Sequence, residues 1–141
     1  MANYFFEPQV YPLMYRNEMI GVFVVDMDLF GKYEYTVEIL SSVPPRKIPY
    51  GFLDHRDKVI SKNRDINHHK AVVLNWVEER VFPEDRQGKR EILNKIGTSE
   101  YDQLYVLKIT RGSSRYDDFW IKFYPEDTFN KTIKERWPYK K

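Results

Sequence analysis

A chain of 141 residues, 42% hydrophobic and 31% charged, has the make-up of one folded domain rather than of a disordered segment. Having no cysteine, it excludes disulfides, thiolate metal sites and a cysteine nucleophile, and it accords with a reducing, cytoplasmic location. The net charge is only +2, yet residues 1–45 hold two bases against six acids (2 − 6 = −4), which leaves +6 for the remainder.

The first residues lack the basic-then-apolar pattern of a secretory signal, and the longest apolar run, 19–25, is too short to span a bilayer. A soluble protein with no membrane partner is expected. In chain order, Tyr11, Leu13 and Tyr15 alternate with other residues up to a polar turn at Arg16, Asn17 and Glu18. Residues 19–25 suit a buried strand, and Asp28 to Gly31 supply the next turn, Gly31 tolerating a positive φ. Tyr33, Tyr35, Val37 and Ile39 then alternate with Lys32, Glu34, Thr36 and Glu38. This period of two predicts the third strand of an antiparallel meander with one buried face.

Pro44 and Pro45 end the meander, and 46–67 reads as a long polar loop that Tyr50, Phe52 and Leu53 tack to the core. A helix over 67–80 follows, capped by Asn67 and carrying Val72, Val73, Trp76 and Val77 on one stripe. Pro83 breaks it. A second helix over 86–96 stops at Gly97, and a third runs from Ser99 to about 109, with Asp102 in capping-box spacing. Phe119, Ile121 and Phe123 alternate with Trp120, Lys122 and Tyr124 in a last, aromatic strand. The expected architecture is α+β: an N-terminal antiparallel meander, a long loop, three short helices and a C-terminal strand. Residues 1–125 form the domain, and 126–141 are a basic tail with a short helix from Thr128.

Chemistry-bearing residues are sparse. His68 and His69, adjacent on a helix, point about 100° apart and cannot easily share a metal, so they read as a surface pair at the helix start. Asp117 and Asp118 would face opposite ways in a strand, which suits a turn and strand start better than paired acid–base work. Ser113 and Ser114 have no partnered histidine, and the six glycines form no phosphate loop. The helices around Gly97 suggest a helix-turn-helix with Lys89, Arg90, Lys95 and Lys108 on phosphates. Tyr101, Leu104, Tyr105, Val106 and Leu107 in its second helix are core residues rather than readers of base edges. No catalytic set and no cofactor are expected.

The hairpin Leu13-Met14-Tyr15-Arg16-Asn17-Glu18-Met19-Ile20-Gly21 resembles the opening of a small N-terminal module that precedes the catalytic domain of some HipA-like toxin kinases. Trp76, Arg80, Pro83, Arg86, Gly88, Leu93, Gly97 and the run Asp118-Phe119-Trp120-Ile121 are similar to its later part. The likeness covers residues 11–124, with 43–65 contributing nothing. It implies the module's fold and a regulatory or inhibitory role toward a kinase or a host defence protein, in a toxin–antitoxin or phage setting. It implies no kinase activity, since the nucleotide loop and the catalytic aspartate–asparagine pair are missing from these residues.

The resulting expectation is a non-enzymatic module that binds another protein. Arg46, Lys47, Tyr50, Arg56, Lys58 and Arg64 of the basic segment, with Arg136, Trp137 and Tyr139 of the tail, are the candidate contact residues. Trp76 and Trp120 are assigned to the core. The alternative is a nucleic-acid-binding accessory protein that uses the basic charge of 46–70 on phosphates.

Overall fold

In the computed structural model, which describes residues 6–138, four strands form one antiparallel sheet in the order β3-β2-β1-β4. They are β1 (Gln9–Tyr15), β2 (Glu18–Met27), β3 (Tyr33–Ile39) and β4 (Phe119–Ile121). The first three make the expected meander, and the short aromatic β4 comes back to the free edge of β1, pairing Leu13 with Ile121 and Met14 with Trp120. Between β3 and β4 lie α1 (Ile66–Glu78), α2 (Lys89–Lys95) and α3 (Gln103–Thr110). The α+β class and its element order therefore follow the reading from sequence.

Alternation along the strands divides the side chains between two cores. Leu13, Phe23, Val25, Tyr35, Val37 and Ile121 join Val73, Trp76 and Val77 of α1 and Leu104 and Leu107 of α3 in the larger one. One position along, Met14 and Trp120 meet Phe129 and Ile133 in a second cluster. The tail supplies that cover: a π-helical turn, Phe129–Ile133, runs into a last turn, α4 (Lys134–Arg136). Trp76 and Trp120 are both buried, as expected.

Where β1 and β2 meet, Leu13 pairs with Gly21 and Met14 with Met19, so Ile20 is the extra residue of a bulge and drops into the core. The approach of β3 is close here. A Cβ on Gly21 would sit 2.2 Å from the Glu38 carbonyl oxygen, a backbone atom that cannot swing away.

The segment expected as a long loop has local order. Two 3-10 turns, Pro45–Lys47 and Tyr50–Phe52, bury Ile48 and Phe52, and a bridge between Leu53 and Val59 closes a small hairpin. Phe52 does tack it to the core, but Tyr50 is 88% exposed, a correction to its expected role there. Helix caps also differ from the reading. Asp65, not Asn67, caps α1 by accepting from the His68 backbone N–H, and Asp102, not Ser99, caps α3 by accepting from those of Leu104 and Tyr105. In each case an aspartate near the residue expected to cap takes the role, and its negative charge also suits the positive end of the helix dipole.

His69 corrects the surface-pair reading. It is 2% exposed, and its Nε2 accepts from the Val37 N–H at 3.1 Å while Nδ1 lies 2.7 Å from the Ile60 carbonyl oxygen. That pairing requires the neutral ring with its proton on Nδ1. The imidazole thus ties the outer edge of β3 to the end of the small hairpin.

The charge asymmetry is partly spent inside the molecule. Lys47, Lys62 and Lys70 of the basic segment pair with Glu18, Glu38 and Glu34 of the acidic strands at 2.8, 3.4 and 3.2 Å. Exposed pairs of this kind contribute roughly 0–1 kcal/mol each, so they orient the segment on the sheet more than they stabilise it.

Candidate functional site

The candidate contact residues do not converge. Arg46, Arg56, Lys58 and Arg64 are exposed, and Lys47 is held by Glu18. Arg56 and Lys58 belong to the tip of the small hairpin, where the Asp54 carboxylate accepts from both of their backbone N–H groups at 2.8 and 3.1 Å. Those hydrogen bonds hold the Asp54 carboxyl below its usual pKa. Arg136 lies over the ring of Trp137, 5.0 Å from its centre. Trp137 faces inward: it packs against the second cluster and donates from Nε1 to Ser113 Oγ at 3.1 Å. Tyr139 lies outside the described residues.

Tyr50 stands beside a sizeable hollow. The turn at 49–51, the outer side of α1 and the approach to β4 enclose an open groove of about 790 Å³. Helical spacing explains α1's two duties. His69, Val73, Trp76 and Val77 turn to the core, while His68, Val72, Asn75 and Glu79 form the next stripe, which lines the groove.

At the inner end of the groove Arg80 is buried, its side chain 3% exposed, with the guanidinium carbon 4.0 Å from the centre of the Trp76 ring. Nη1 donates to the carbonyls of Gly112 and Phe119 at 3.0 and 3.3 Å and to Asp117 Oδ1 at 3.1 Å, and Nη2 donates to Asp117 Oδ2. This bidentate pair balances the charge, and stacking on the indole adds a cation–π attraction. Asp117 also accepts from the Phe119 N–H, which is the strand-start role expected of it, and Asp118 pairs with Arg16 at 2.9 Å.

Two donors in this cluster remain over. Trp76 Nε1 and Arg80 Nε are buried and have no hydrogen-bond partner, and both residues line the groove. Each such donor costs about 1–3 kcal/mol in the folded state, which makes a pair of them in one place unusual.

A second hollow of about 640 Å³ lies between the start of β3 and the start of α3. It is acidic, with Glu78, Glu84, Glu100 and Asp102, but its phenols are paired: Tyr33 donates to Asp102 at 2.8 Å and Tyr101 to the Phe82 carbonyl at 2.7 Å. Burial, reinforced by the Asp102 hydrogen bond, pushes the Tyr33 hydroxyl up to about 12. Among the described residues no three His, Asp or Glu side chains gather as a metal-binding set, and no helix is long and apolar enough to cross a membrane.

Lys108, a phosphate contact in the helix-turn-helix alternative, has its ammonium over the rings of Tyr11 and Phe123, 5.7 and 6.0 Å from their centres. The groove itself had one partial trace in the sequence: Trp76, Arg80 and Asp118-Phe119 all stand in the resemblance motif, without anything to show that Arg80 meets Asp117. No family model, no curated protein and no solved structure matches this chain.

Proposed function

We propose that the protein is a docking module that acts by holding a segment of another protein in the groove beside α1. The observation that carries this reading is an open groove of about 790 Å³ with Val72, Trp76 and Phe119 in its lining and an exposed tyrosine, Tyr50, at its rim. Tyr50 supplies a ring for the rim, and Asn75 an amide that both donates and accepts. The resemblance to the N-terminal module of HipA-like kinases makes a kinase lobe the first partner to try.

The nucleic-acid alternative is weaker on charge. Of the seven bases between residues 46 and 70, Lys47, Lys62 and Lys70 are paired with glutamates of the sheet. The test uses tagged protein and a candidate kinase lobe in three forms: wild type, Tyr50→Ala with Asn75→Lys, and Arg56→Ala with Lys58→Ala and Arg64→Ala. All the altered residues are exposed, so the fold tolerates the changes. Retention lost in the groove variant and kept in the basic-segment variant supports the reading. The reverse pattern, or retention of duplex DNA that vanishes with the three bases, overturns it.

A further inference from the structure

We propose that the tip of the β2–β3 hairpin is a second docking surface, and that it takes a protein segment carrying a lysine or arginine beside an apolar side chain. It is independent of the groove beside α1 and stands on different residues.

Exposure carries the proposal. Leu29 and Phe30 are adjacent, large, and 98% and 89% exposed. The turn does not need them. It is set by the Asp28 carboxylate, which accepts from the Phe30 and Lys32 N–H groups, and by Gly31 at φ +79°. One exposed apolar side chain is ordinary, but two in succession at a hairpin tip form a prong that a partner can close over.

Charge decides what the partner is. Gly31 and Lys32, the next residues along, line the acidic hollow of about 640 Å³ with Glu78, Glu84, Glu100 and Asp102. Consecutive Cα atoms are about 3.8 Å apart, so the prong stands directly beside that hollow. Its lining sets one base against four acids (1 − 4 = −3). On the sheet, by contrast, Glu18, Glu34 and Glu38 each pair with a lysine. Among the described residues Glu78, Glu84 and Glu100 take part in no ion pair. Burial, and after it the charges of Glu84 and Glu78, raise the pKa of the Tyr101 hydroxyl in the same lining.

A nucleic acid or an acidic protein face is repelled by such a lining. Membrane-binding tips set bases beside their apolar residues, the opposite of this arrangement. A cationic side chain at the hollow, with an apolar neighbour on Leu29 and Phe30, answers both features at once.

The test is a titration of the ¹⁵N-labelled full chain, followed by NMR, with three capped peptides of equal length. One is built of lysine and leucine, one of glutamate and leucine, and one of lysine and serine. The expected result is a saturable shift of the Phe30, Lys32, Glu78 and Glu100 amides with the lysine–leucine peptide, and about tenfold weaker binding of the other two. Leu29→Ser with Phe30→Ser weakens that peptide about tenfold, and both side chains are exposed, so the fold tolerates the change. Glu78→Gln with Glu84→Gln and Glu100→Gln weakens it at low salt and much less at high salt. Unchanged affinity in the serine variant, equal binding of the lysine–serine peptide, or silence toward all three overturns the proposal. So does capture of the wild type by phosphatidylcholine vesicles that is lost in the serine variant, which would make the tip a membrane contact. The groove keeps all its residues in both variants, so its own test stands apart from this one.

Discussion

Two hairpin tips, 28–32 and 54–58, share one backbone design and present opposite chemistry. In the first, the Asp28 backbone N–H bonds the Lys32 carbonyl at 2.8 Å, and its carboxylate accepts from the N–H groups of Phe30 and Lys32. In the second, the Asp54 N–H bonds the Lys58 carbonyl at 2.8 Å, and its carboxylate accepts from Arg56 and Lys58. The fourth residue is left-handed in both: Gly31 at φ +79° and Asp57 at φ +59°. An aspartate and one left-handed residue set the turn, so the two middle positions are free of folding duty. The chain fills them with Leu29 and Phe30, 98% and 89% exposed, at one tip and with His55 and Arg56 at the other. What the tips do not share is support: the first closes two long strands, the second a single bridge between Leu53 and Val59.

The strongest way to break the comparison is to cut the link between the hairpins. His69→Ala removes the partner of Val37 N–H and of the Ile60 carbonyl and leaves a hole, and a loss of about 3 kcal/mol in urea unfolding is expected. Hydrogen exchange then separates the two regions, with 53–60 opening before β3 does. Asp28→Ala comes next, at about 1 kcal/mol, because the tip it holds sets the register of β2 and β3. Asp54→Ala has a smaller effect, confined to local exchange, since only one bridge depends on it.

Exchanging the left-handed residues sharpens the same point. Gly31→Ala costs about 1 kcal/mol although nothing crowds its Cβ, because the cost is backbone strain alone. Asp57→Gly relieves that strain and shifts stability by a few tenths of a kcal/mol at most, the freer unfolded chain offsetting the gain. Leu29→Ser with Phe30→Ser leaves the melt within about 0.5 kcal/mol, and a large loss there would mean that the tip packs on something.

The hairpins also weaken at opposite ends of the pH scale. The Asp54 carboxyl is lowered by the backbone N–H groups it accepts from, so its contribution is present above pH 3.8 and is lost as pH falls through its folded value. Tyr33, which follows the first tip, is raised by burial to about 12 from 10.0, so its contribution is present below pH 10 and is lost as pH climbs toward 12. Tyr33→Phe should make the alkaline limb shallower without abolishing it, because burial also raises Tyr35 and Tyr101, and should leave the acid limb unchanged.

These turns also show why one was legible in the sequence and the other was not. Asp28 with Gly31 between two alternating runs marks a turn outright, and 33–39 states its period of two without ambiguity. Asp57 does the work of a glycine without being one, so 54–58 looked like part of an unbroken polar loop. Helices were found from their apolar stripes, while their starts were misjudged because Asp65 and Asn67, like Ser99 and Asp102, are near-equal capping residues, and only the packed chain selects one of each pair. Of the candidate contact residues, Tyr50 meets the groove. Trp137, a candidate contact residue, is half-buried and packs against the cluster of Met14, Trp120, Phe129 and Ile133.

Local rules acting over a few residues were enough to settle the class of fold, the three-strand meander, the presence of three helices and the burial of Trp76 and Trp120. Everything that makes a site depends on residues far apart in the chain: Arg80 meeting Asp117 across 37 positions, Tyr50 facing α1, and β4 returning to β1. Apolar periodicity is written into neighbouring residues and survives in one dimension. Which polar groups find partners, and which of the described residues keep one without, is decided only when distant backbones and side chains are packed together.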